Sequence, residues 1–165
     1  MILYFLRHGD AGDPRPHDDD ARELTAKGES RLRDGAWTWR RLKVRPQVVL
    51  SSPLPRALRT AELLVEGIES GAEVIVDDRL RPGATWSDLS AAMADHRQAE
   101  RVLFVGHDPD LSGAVETLTG AASVRLRKGG LACVELTEGT AEAGDGELAW
   151  LVDPDLYRPE PDGRH

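Results

Sequence analysis

Four short apolar runs constrain this chain more than any other feature: residues 2–6, 48–50, 74–76 and 102–105. Each is too short for a helix. Residues 2–6 and 48–50, continuously apolar, are expected to be strands buried on both sides, and 74–76 and 102–105 to be a third and a fourth strand. The segments between them have helical spacing. Thr25 can cap a helix reaching about Leu42, with Leu32, Ala36, Trp39 and Leu42 on one face. A second helix is expected from about Pro55 to Ile68, with Pro55 in the first turn, where its missing N–H is not needed. Ser87 is read as the cap of a third helix running to His96, and Asp108-Pro109 as the opening of a fourth that ends near Gly120. Strands alternating with helices imply a largely parallel sheet between helical layers.

Two further runs, residues 131–136 and 148–152, read as closing strands, one of which can be antiparallel. The fold class expected is thus α/β, a three-layer α/β/α sandwich with a mostly parallel central sheet. A length of 165 residues suits one domain. The domain is expected over 1–152, with 153–165, rich in proline and charge, as a C-terminal surface tail. Residues 10–23 read as a polar loop with little to bury, and Lys128-Gly129-Gly130 as a turn.

Charge limits the partners. Twenty-one basic against 29 acidic side chains give a formal net charge of −8, so neither nucleic acid nor a membrane surface is an expected partner. An anionic ligand would need a local basic pocket. The single cysteine, Cys133, sits in an apolar run and reads as a small buried hydrophobe; with no second cysteine to pair with, it suits a reducing compartment. The apolar opening, Met1 to Leu6, is too short for a signal-peptide core and reaches Arg7 at once. The expected location is cytoplasmic.

Three polar clusters fall at equivalent places: Arg7-His8-Gly9 after the first strand, Ser51-Ser52-Pro53 with Arg56 after the second, and Gly106-His107 after the fourth. In open α/β sheets the carboxyl ends of the strands form the ligand crevice, so these distant residues are expected to converge. Any one alone would be an ordinary loop or helix residue; their joint placement makes them a candidate site. Two arginine forks match the oxygens of a phosphoryl group. Positive charge on Arg7 and Arg56 should keep His8 unprotonated and able to attack phosphorus. Backbone amides near Gly9 and at the helix start after Asp108 are further candidate phosphate donors. His17, His96 and His165 lack such placement and read as surface residues. Asp18-Asp19-Asp20 reads as a solvated charge run and not as a metal site, because successive side chains in a loop point apart.

These pieces, Arg7-His8-Gly9, Ser52-Pro53-Leu54-x-Arg56-Ala57-x-x-Thr60-Ala61 and Gly106-His107, resemble the histidine phosphatase superfamily, whose fold is phosphoglycerate mutase-like, across nearly the whole chain. Arg7-His8-Gly9-Asp10-Ala11, Leu24-Thr25-x-x-Gly28, Leu80-x-Pro82-Gly83 and Val105-Gly106-His107-Asp108-Pro109 resemble the SixA type of phosphohistidine phosphatase. The resemblance implies that His8 becomes phosphorylated, that Arg7, Arg56 and His107 bind the transferred group, and that neither a metal nor an organic cofactor is needed. Many relatives that cleave phosphate esters carry an acidic residue after the third strand to protonate the leaving alcohol. Here that stretch reads Leu80-Arg81-Pro82-Gly83-Ala84, without a carboxylate. Imidazole leaves more readily than an alkoxide, so the expected substrate is phosphohistidine on a protein. Small phosphorylated substrates such as phosphate monoesters, or a non-catalytic phosphate-binding module, remain the alternatives.

Overall fold

The computed structural model describes residues 1–137 and 140–162. Six strands form one sheet: β1 (Ile2–Arg7), β2 (Val48–Ser51), β3 (Val74–Val76), β4 (Arg101–Gly106), β5 (Leu131–Leu136) and β6 (Gly146–Val152), in the order β3-β2-β4-β1-β5-β6. The β3–β2, β2–β4 and β4–β1 pairs are parallel, whereas β5 runs antiparallel to both β1 and β6. The expected mostly parallel sheet is thus present, with β5 as its reversed strand.

Burial on both faces explains why the apolar runs of β1, β2 and β4 lack polar alternation, whereas β3, at the sheet edge, leaves Val76 exposed. Leu3, Phe5, Leu50 and Phe104 face one layer, packed with Leu89, Leu111, Val115 and Leu118 from helices α3 (Trp86–Ala94) and α4 (Asp110–Thr119). Tyr4, Leu6, Val49, Leu103 and Val105 face the other, against Leu32, Trp39, Ala57, Ala61 and Leu64 from helices α1 (Ala26–Arg41) and α2 (Pro55–Gly67). Cys133 belongs to this second cluster, and burial pushes its thiol up to about 12.

Thr25 caps α1 by accepting a hydrogen bond from the Gly28 amide, and Gly120 closes α4 in the left-handed region at φ 71°, both as expected. The third helix differs. Its cap is Thr85, not Ser87, and it ends at Ala94. Asp88, three residues on, accepts hydrogen bonds from the Thr85 amide and hydroxyl at 2.8 and 2.9 Å, a reciprocal arrangement that Ser87 has no acid to form. Starting earlier also lets Trp86 stack edgewise on Phe5 and Phe104.

The chain beyond Val152 is more than a surface tail. Pro154 and Tyr157 are buried; the Tyr157 ring meets Trp39 edge-on at 5.4 Å, and its hydroxyl donates to the Gly129 carbonyl at 2.7 Å. An aromatic residue with a hydroxyl handle anchors well even in a polar sequence. Lys128-Gly129 forms the expected turn.

Candidate functional site

Strand register sets the site. Arg7 pairs with Gly106 in β4, Ser51 pairs with Val105, and the first residues past these strands continue the ladder. The His8 amide donates to the Gly106 carbonyl at 3.0 Å, and the Ser52 amide to the Val105 carbonyl at 2.9 Å. His8, Ser52 and His107 therefore emerge at one level of the sheet's carboxyl edge, and the imidazoles of His8 and His107 lie 5.3 Å apart between centroids. Arg56 projects from the first turn of α2, which Pro55 starts directly after the β2 loop.

The His8 Nδ1 atom lies 2.7 Å from the Gly9 carbonyl oxygen. A carbonyl can only accept, so Nδ1 carries the proton and Nε2 keeps its lone pair. Burial, reinforced by His107, Arg56 and Arg7, lowers the His8 pKa to about 3. Burial, with Arg56, Arg22 and Arg7 adding to it, lowers that of His107 to about 4. Both rings are neutral near pH 7.

The arginines are held by one edge each. Arg7 Nη1 donates to the Leu126 carbonyl at 3.0 Å, and Arg56 Nη1 to the Asp19 carbonyl at 2.9 Å. The Nε atoms of both are buried without a hydrogen-bond acceptor among the described residues. Buried guanidinium donors are strongly favoured to find an acceptor, and two beside a pair of neutral imidazoles fit the oxygens of a tetrahedral anion.

Several residues that place this cluster have no assigned part in the sequence reading. Arg22, in the supposedly unburied loop, is only 6% exposed; it donates to the Gly12 carbonyl at 2.9 Å and to Asp19 at 3.0 Å. Its charge bears on both Arg56 and His107. Its sequence signal was slight, a lone arginine behind three aspartates. Thr60 accepts from the Gly9 amide at 3.1 Å and donates to the Arg56 carbonyl at 2.7 Å, which ties the His8 turn to α2. The Gly9 amide, expected to face phosphate, is thus engaged by Thr60, because one helical turn separates Thr60 from Arg56. Gly9 serves close packing instead: a Cβ there would come within 2.8 Å of Leu32.

The start of α4 is likewise engaged internally. The Leu111 amide donates to the His107 carbonyl and the Ser112 amide to Asp108. The Ser112 hydroxyl donates to Asp108 and accepts from the Leu126 amide, so this chain of bonds ends on the residue that holds Arg7. Ser52 Oγ lies 2.8 Å from His107 Nε2. Asp18, Asp19 and Asp20 each face a different arginine, Arg15, Arg22 with Arg56, and Arg81 respectively, and no three metal-ligating side chains converge among the described residues. His17 is exposed and His96 partly so; His165 lies outside the described residues.

A mostly parallel sheet with two imidazoles and two arginines at the carboxyl ends of its parallel strands defines a phosphoryl-handling α/β enzyme. The chain belongs to the histidine phosphatase superfamily, branch 1, whose family model matches residues 3–117, and it is a phosphatase. An uncharacterised protein of Picosynechococcus is 33% identical, covering 96% of this chain and all of its own length. The solved structure of the protein histidine phosphatase SixA complexed with tungstate is 27% identical, with a TM-score of 0.81 over 94% of this chain and 98% of that one. A mycobacterial glucosyl-3-phosphoglycerate phosphatase shares the fold at 19% identity, with a TM-score of 0.70 over 89% of this chain and 96% of its own. Among the described residues, no helix is long and apolar enough to cross a membrane.

Proposed function

We propose that the chain removes the phosphoryl group from phosphohistidine on a protein, by transfer to His8 Nε2 and then to water. The observation that carries this reading is the 2.7 Å bond from Nδ1 to the Gly9 carbonyl, which leaves the other ring nitrogen with an available lone pair. In the first step Nε2 attacks phosphorus, the phosphorus–nitrogen bond of the substrate breaks, and the departing imidazole takes a proton from solvent. In the second, water attacks phosphorus, phosphate leaves and His8 returns to its starting form. Arg7, Arg56 and His107 surround the phosphoryl oxygens in both steps; the arginines offset their charge and neutral His107 contributes a ring N–H.

The carboxylates support a nitrogen leaving group. Asp19, the acid that meets Arg56, is held below its usual pKa by its bond from the Arg15 amide and by Arg22, so it is a poor proton donor. Asp110 is raised by burial even though its carboxylate accepts from the amides of Gly83 and Ala84, but it lines a cavity whose walls include none of Arg7, His8, Arg56 and His107. An alkoxide would leave without a proton source, whereas imidazole needs none of comparable strength. The tungstate bound in the SixA structure, a tetrahedral oxyanion, is a further point in favour.

The test is a brief incubation with a phosphohistidine protein followed by a search for label on His8. Wild type should carry an acid-labile, base-stable phosphoryl group there, and His8→Ala should show neither label nor turnover. Arg56→Ala should lose about 100-fold or more in kcat/KM. Normal turnover by His8→Ala would overturn the mechanism, and a strong preference for alkyl phosphate esters would overturn the substrate.

A further inference from the structure

A cavity of about 330 Å³ adjoins the phosphoryl cluster and shares Arg7 with it, between the first turns of α1 and the loop at 125–129. Besides Arg7, its walls carry Lys27, Arg31, Arg125, Arg127 and Lys128. Two carboxylates, Asp10 and Asp155, oppose them. With Asp153, which reaches Arg127 at 3.2 Å, six cations less three acids leave a local excess of three positive charges, on a chain whose formal net charge is −8. A concave surface of one sign concentrates its field, so this excess acts on anything approaching His8.

Internal ion pairs neutralise only part of it. Asp155 holds Arg31 at 2.7 Å and Arg127 at 2.9 Å, and Asp10 lies 3.4 Å from Lys128. Arg7, Lys27 and Arg125 have no carboxylate partner among the described residues. The turn that carries this wall is fixed to the reaction centre, because the Gly129 amide donates to the carbonyls of both Arg7 and His8. The cationic wall therefore keeps a set position beside the phosphoryl group.

We propose that this cavity is the recognition subsite for acidic side chains that flank the phosphohistidine of a protein substrate, an inference that rests on the reading of the reaction given above. Lys27, Arg125, Arg127 and Lys128 are exposed at its rim. Long flexible cations at a rim suit the carboxylates of a partner surface, whereas a small dianion is usually caged by fixed, buried donors.

The experiment compares two phosphohistidine peptides, one flanked by Glu and one by Gln, alongside free phosphohistidine and phosphoramidate. At low salt wild type should favour the Glu peptide by about tenfold in kcat/KM, and the preference should shrink as ionic strength rises. The double variant Lys27→Glu, Arg125→Glu should reverse the preference while hydrolysing phosphoramidate within about twofold of wild type. Lys27→Gln, Arg125→Gln should abolish it without reversal. Equal use of both peptides, an unchanged preference in the variants, or free phosphohistidine matching the Glu peptide would each overturn the subsite, although hydrolysis itself would stand. Failure to hydrolyse any of these donors would remove the subsite together with the function beneath it.

Discussion

Two neutral imidazoles buried among arginines make protons unwelcome, and the consequence is measurable as stability. In the unfolded chain each histidine titrates near ~6.5; in the folded one His8 titrates at about 3 and His107 at about 4. Between those values the unfolded state binds more protons, so both contributions are complete above pH ~6.5 and are lost progressively as pH falls toward 4 and then 3. By pH 5 each histidine should cost on the order of 2 kcal/mol. Denaturant titrations at pH 7 and pH 5 should show that loss, and His8→Gln should remove roughly half of it. A loss of equal size in the variant would mean that burial does not hold the His8 proton off. At the same scale, the low His8 pKa places the nucleophile's own acid limb near pH 3, so transfer of phosphoryl to His8 should not decline through pH 6.5 on its account.

At the scale of elements, the approach of α1 to the His8 turn is set by Gly28. A Cβ at that position would lie 2.3 Å from the Asp10 carbonyl oxygen, backbone that cannot swing aside. Gly28→Ala is therefore expected to destabilise the protein by about 2 kcal/mol or more despite the better helix propensity of alanine. It should also lower kcat/KM by displacing the segment that follows His8. Unchanged stability and rate would show that α1 can shift freely. Most element positions were legible because strand burial and helical periodicity are local patterns. Serine is a good cap by itself, which is why Ser87 reads as one, whereas the Thr85 cap depends on the answering acid at Asp88. Arg22 is silent for a related reason: nothing near it in sequence announces that carbonyls of Ala11 and Gly12 will surround it.

At the scale of the whole molecule, the last described segment closes the α1 side of the core. Tyr157 fills space against Trp39 and braces Gly129, whose amide in turn binds the carbonyls of Arg7 and His8. Tyr157→Ala should cost about 3 kcal/mol through the lost ring, and Tyr157→Phe about 1 kcal/mol through the hydroxyl alone. Urea unfolding of the two variants separates packing from hydrogen bonding. Tyr157→Ala as stable as wild type would return the segment to the role of a loose tail.

The layered α/β fold and the candidate cluster of Arg7, His8, Arg56 and His107 can be read along the chain, since alternating runs and strand-end residues follow from periodicity and polarity. Contacts between distant segments set the rest: Gly9 gives its amide to Thr60, Arg22 is buried against the Gly12 carbonyl, and Tyr157 is buried against Trp39. Each of those outcomes depends on partners from 10 to 118 residues away in the chain, and no local pattern encodes which distant group will be within reach.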